Sequence, residues 1–177
     1  MRFTDEQRLI VMMLADIQKS LNVRGDFNPE FISKVAAWKD EFAIAWAHNE
    51  IFDDSDIPTE FQFVIDVLDM WSFIENSVAD LSPEEREELE GKAGVWGKNP
   101  KFSGFDGNNE TDLMGYVTLL VEDLNRFTEF SGRGFNSHVP LATRYAAMLE
   151  KFKSIRSVIL DRGGVTVDEL AEVLLAR

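Results

Sequence analysis

Apolar residues recur at intervals of three and four along almost the whole of this 177-residue chain. The clearest run is Leu141, Tyr145, Met148, Phe152, Ile155 and Ile159, and Phe31, Val35, Trp38, Phe42, Ala45 and Trp46 form another. That period puts one side of a helix into a core, and no alternating strand pattern of useful length competes with it. Start signals fall where the runs begin. Thr4-x-x-Gln7, Thr59-x-x-Gln62 and Thr166-x-x-Glu169 read as capping boxes. Asn28-Pro29 and Ser82-Pro83 place a capping side chain before proline at the first helical position. Helices are predicted over about 4–21, 29–46, 59–74, 84–90, 110–127, 141–159 and from 167 onward. The expectation is an all-α chain: a single multihelical domain over 1–177 with six or seven helices and no substantial sheet. The second, third, fifth and sixth helices have the longest stripes and are expected to form its core.

Two segments lack this period. Residues 91–109 hold five of the 11 glycines, and residues 128–140 form a second irregular stretch. The third helix is apolar on more than one face, from Phe61 through Ile74, so it is expected to be central or to lie at a subunit interface. Together with 14 phenylalanines this points to a homodimer held by apolar contact. Arg144, Lys151, Lys153, Arg156 and Arg162 are the bases available to meet a partner's acids.

Charge narrows the function classes. Thirty-two acids against 18 bases give a net charge of −14. Residues 1–90 hold 21 acids and 7 bases, whereas 91–177 hold 11 of each; within 51–90 there are 13 acids and one base, Arg86. Such a surface repels phosphate backbones, which argues against general nucleic-acid binding and leaves room for a basic protein partner. The absence of cysteine excludes disulfides, a thiol nucleophile and cysteine-ligated metal. No signal or membrane-spanning segment is apparent in the sequence, so a cytoplasmic protein that does not engage membranes is expected.

The motifs that invite chemistry are incomplete. Asp106-Gly-Asn-Asn-Glu110-Thr-Asp112 looks like a calcium loop, but the glycine and terminal glutamate positions fall on Thr111 and Val117. An N-cap cluster, with Asn108 or Asn109 capping the next helix, accounts for it better. The acidic turn Asp53–Asp56 fails the same calcium pattern. His48 ends a helix, and Ser137-His138 lacks the nucleophile elbow of a hydrolase. Gly132-Arg133-Gly134 lacks the lysine and spacing of a phosphate loop. Trp38, Trp46 and Trp71 have core spacing. Trp96, in Gly94-Val-Trp96-Gly97, reads instead as part of a contact surface. No metal site, cofactor or catalytic residue is assigned.

Phe102-Ser-Gly104-Phe105-Asp106, Glu110, Gly115-Tyr116-Val117, Arg126-Phe127-Thr128-x-Phe130 and Gly134-Phe135-Asn136 with Pro140 resemble the YfbU family of bacterial proteins. Thr4 with Arg8-Leu9-Ile10, and the helix from Val64 to Trp71, resemble it as well. The likeness covers most of the chain and is most specific over 102–145. It implies an all-helical cytoplasmic protein and brings no catalytic role to any residue. The candidate binding residues are Trp96, Phe105, Asp106, Glu110, Asp112, Arg133, Phe135, Asn136 and His138, in a segment that suits either a packed turn or a binding loop. The expected function is a non-catalytic protein-binding or regulatory module. The alternative is a carboxylate-based hydrolase, with or without a divalent cation, using Asp106, Glu110, Asp112 and His138.

Overall fold

A computed structural model describes residues 2–52 and 57–177, so the Asp53–Asp56 turn lies outside the described residues. The described elements are α1 (Asp5–Ser20), α2 (Pro29–Trp38), α3 (Phe42–Ala47), α4 (Thr59–Asp80), α5 (Pro83–Ala93), α6 (Val95–Lys98), α7 (Thr111–Thr118), α8 (Ala142–Arg162) and α9 (Val167–Leu175). A π turn over Leu119–Asp123 and a 3-10 turn over Thr128–Phe130 join α7 to α8. Among the described residues there is no strand, and an isolated parallel bridge pairs Phe105 with Asn136. None of the described helices is long and apolar enough to cross a membrane. Contacts divide the chain into two compact units, Met1–Pro58 and Thr59–Arg177.

The all-α expectation holds, but nine helices are described where six or seven were expected. The predicted second helix is two. Lys39 takes a left-handed conformation, φ 64°, and its N–H together with that of Asp40 closes back onto Ala36 and Val35 carbonyls. That is the hydrogen-bonding pattern by which helices stop. Lysine, unlike glycine, gives no warning of it. Trp38 is consequently the last residue of α2 and is 53% exposed rather than in a core, with the Lys34 ammonium 4.8 Å over its ring. The segment after residue 90 also holds more helix than expected, because α5 continues to Ala93 and α6 follows. Gly97 permits that packing: a Cβ there would lie 2.3 Å from the Leu89 carbonyl oxygen. The predicted fifth helix leaves α geometry after Thr118.

Caps account for most of the starts. Thr4 and Gln7, Ser82 and Glu85, and Thr166 and Glu169 form reciprocal capping boxes, and Asn28 accepts from Glu30 and Phe31 N–H groups. Thr59 departs from the pattern. It is the first helical residue, and Gln62 donates to Asp66 instead.

In the first unit α1 packs on α2 and α2 on α3, and Ala15 of α1, Phe31, Val35 and Ala36 of α2 and Phe42, Ala43, Ile44 and Ala45 of α3 are buried. One partly enclosed ion pair underlies it. Arg8 donates from Nε and Nη2 to Glu41, whose side chain is only 3% exposed, and from Nη1 to exposed Asp5. In the second unit α4 is central: Phe61, Val64, Val67, Leu68, Met70, Trp71 and Ile74 are all buried. Tyr145, Met148 and Phe152 of α8 and Leu170 and Leu174 of α9 are buried in the same unit. Phe63, Ile65 and Phe73 of α4 are half-buried.

Removing one member of a buried ion pair leaves the other charged and desolvated. Arg8→Met is expected to cost about 3 kcal/mol, and adding Glu41→Gln should recover part of the loss. Urea unfolding of the single and double variants checks both statements.

Candidate functional site

The segment most specific in sequence is a compact turn locked by its own side chains. Phe105 N–H donates to the Phe135 carbonyl at 2.9 Å, and Ser137 N–H to the Phe105 carbonyl at 3.0 Å. This pairing needs Gly104, which has φ +82° and whose absent Cβ would fall 1.9 Å from the Phe135 carbonyl oxygen. Asn136 Oδ1 then accepts from Gly107 N–H at 3.0 Å and His138 N–H at 2.9 Å.

Each predicted site residue has a definite place. Asp106 is 2% exposed and accepts from the Asn108 N–H and the Asn109 side-chain amide. The Asn109 amide, opposed by burial, is the chief reason its carboxyl sits below the ordinary value. Glu110 stands at the start of α7 but does not cap it. Its carboxylate accepts from Asp106 N–H at 2.9 Å, Leu141 N–H at 3.0 Å and Ala142 N–H at 2.7 Å. It therefore joins the turn to the beginning of α8. The expectation that Asn108 or Asn109 caps α7 is corrected: Asn108 and Asn109 close the Asp106 turn, and no side-chain hydrogen bond caps the helix. Asp112 is exposed in the first turn of α7, and His138 is exposed with φ +57°.

Arg133 donates from Nη1 to both oxygens of Glu75, at 2.9 Å each, and from Nη2 to the Glu129 carbonyl. Glu75 also accepts from Phe102 N–H at 2.8 Å, so a single carboxylate of α4 holds both irregular segments. Behind it lies an aromatic cluster. Phe102 has ring neighbours in Trp71, Phe105, Phe130, Phe135 and Tyr145 at centroid separations of 5.5–6.4 Å. Trp96 sits apart from the turn, 41% exposed, with the Arg144 guanidinium 3.6 Å from its ring.

The four residues of the hydrolase alternative do not assemble. Asp106 and Glu110 commit their oxygens to amides, while Asp112 and His138 are exposed. Among the described residues no three His, Asp or Glu side chains could hold a metal ion. A cavity of about 160 Å³ opens near Trp96 and is also lined by Trp71, Lys101, Ser103, Arg144 and Tyr145. Of these the sequence singled out Trp96 alone as a site residue. Trp71 and Tyr145 were hidden in core stripes, and Arg144 looked like one base among several on its helix.

These features define a helical protein whose irregular segment is held by carboxylates acting on backbone amides and by a packed aromatic cluster. The chain belongs to the YfbU family: the YfbU domain matches residues 1–176. It is also similar to a UPF0304 protein of Methanocaldococcus jannaschii, at 32% identity over 110 residues, covering 59% of this chain. The match spans 61% of that relative's length.

Two outcomes follow from the locked turn. Glu110→Ala orphans three amides and is expected to cost roughly 2–4 kcal/mol, whereas Asp112→Ala should stay within about 1 kcal/mol; thermal unfolding compares them. Because the Asp106 carboxyl is depressed in the folded state, its stabilisation is present above the unfolded value of 3.8 and is lost as pH falls through the folded value. Asp106→Asn should therefore unfold more readily at neutral pH and show a flatter acid dependence, measured as urea midpoints from about pH 6 down to about pH 2.

Proposed function

We propose that this chain is a non-catalytic protein-binding module that self-associates through α1. One observation carries the reading. Leu9, Ile10, Met13, Leu14, Ile17 and Leu21 are each between 51% and 68% exposed. At about 100° per residue they fall within one arc of roughly 140°. A helix with apolar side chains on a broad outer face is ordinarily covered. We place the dimer contact on α1 rather than α4, because most apolar residues of α4 are buried and those of α1 are exposed.

A second copy is the occupant that the area favours. Six such side chains have roughly 50–100 Å² each left to bury, or about 300–600 Å² per copy. Doubled, and extended by exposed Val23 and Phe27, that reaches the range of a specific interface, about 1,200 Å². Leu14 and Phe27 also line an apolar cavity of about 320 Å³, able to receive a side chain from the other copy. Charge does not oppose this strongly, because screening acts over about 8 Å at physiological ionic strength. The counter-charges first assigned to the interface are engaged elsewhere: Lys151, Lys153, Arg156 and Arg162 pair with Glu172, Asp66, Asp69 and Glu169.

The exposed glutamates of α5, Glu84, Glu85 and Glu87 among them, support a basic protein as a further partner and disfavour nucleic acid. A cytoplasmic place of action belongs to the same reading. The hydrolase alternative has no observation in its favour.

Light scattering at micromolar concentration should give twice the 20.2 kDa chain mass, with little change between low and high salt. Ile17→Glu, at an exposed position, should yield a folded monomer. A wild-type mass of one chain, or an unaltered dimer in the variant, overturns the reading.

A further inference from the structure

The cavity beside Trp96 is lined by two bases and, among the described residues, by no acid. Its polar lining residues are Asn99, Lys101, Ser103, Arg144 and Tyr145, and Trp71 and Trp96 supply aromatic wall. Arg144 differs from the other bases of α8, which each face a carboxylate. It has no carboxylate within ion-pair distance among the described residues; its guanidinium lies over Trp96 and donates to the Leu174 carbonyl. Burial, with a contribution from Arg177, holds its pKa below the ordinary value. Lys101 also has no carboxylate partner there. Trp71 lines the cavity and is 4% exposed, with its Nε1–H closed to water and without an acceptor, so its indole signal reports on occupancy of the cavity.

We propose that this cavity binds a small organic carboxylate with a compact apolar or aromatic body, its oxygens received by Arg144 and its body packed beside Trp71. A guanidinium held flat on an aromatic ring offers a fixed fork that matches a carboxylate. The remaining wall, including Leu141, Met148 and Leu174, is apolar and suits the body of the ligand. The cavity, about 160 Å³, holds on the order of ten waters and has room for a compact ligand. A phosphate dianion is a poorer fit, because no backbone N–H cluster or second fixed cation accompanies Arg144. The site lies wholly within residues 59–177 and is independent of the α1 surface.

The probe is phenylacetate, titrated into the full chain carrying ¹⁵N-labelled tryptophan, with Trp71→Phe assigning the indole signal. Saturable movement of the Trp71 Nε1–H resonance is expected, with binding at least tenfold weaker for neutral phenylacetamide. Arg144→Gln should weaken phenylacetate binding tenfold or more. Lys101→Ala, at an exposed position, should weaken it severalfold and serves if Arg144→Gln fails to fold. No movement of the Trp71 signal at millimolar phenylacetate overturns the proposal. So does equal binding of the amide, or a response to phenyl phosphate alone.

Discussion

Glu110 is the residue on which the second unit's irregular half depends. Its carboxylate accepts three backbone N–H groups, one from the turn at Asp106, one from Leu141 just before α8 and one from Ala142, the first residue of α8. An amide left unmet in a partly buried place costs about 1–3 kcal/mol. A single side chain therefore holds the turn and the helix start at a set separation. Arg144 and Tyr145 follow within one helical turn of that anchor, so the geometry of the cavity they line rests on the same contact. Glu75 of α4 plays the matching part for Phe102 and Arg133. Acids in this chain serve as backbone acceptors as well as surface charge.

The aromatic cluster completes the arrangement. Phe102, Phe105, Phe130, Phe135 and Tyr145 come from segments without regular structure or from the helix that follows them. Edge-on and tilted contacts add to their area burial. Irregular backbone survives here because its polar groups are met and its side chains are packed. The Tyr145 phenol, held above its ordinary pKa by burial and hydrogen-bonded with Ser103, stays protonated. It adds a neutral hydroxyl, not a charge, to the cavity.

Much of the local structure was legible in the sequence. Four of five cap signals operate as read, because a side-chain oxygen three residues from its target amide acts over a distance that sequence spacing specifies. The break at Lys39 was not legible, since the left-handed turn is taken by a residue with no preference for it. The acidic cluster at 106–112 was legible as a capping device in kind but not in detail: Glu110 serves amides 31 and 32 residues away. The candidate binding residues divide accordingly. Phe105, Asp106, Glu110, Arg133 and Phe135 are held in the turn and its neighbours, Asn136 bonds within the turn while exposed, and Asp112, His138 and Trp96 are exposed.

The sequence by itself determined that the chain is helical, where most helices begin, and that acid predominates in its first half. These follow from period, from short-range hydrogen bonds and from counting. Tertiary structure decided which apolar faces are covered and which charges are paired. Helix α4, apolar on several sides, has most of its apolar residues buried, while α1 keeps a broad apolar face uncovered. Both patterns look alike in sequence because burial depends on what lies opposite. Four bases of α8 likewise meet carboxylates and, among the described residues, Arg144 does not, a distinction made by which acids α4 and α9 bring within reach.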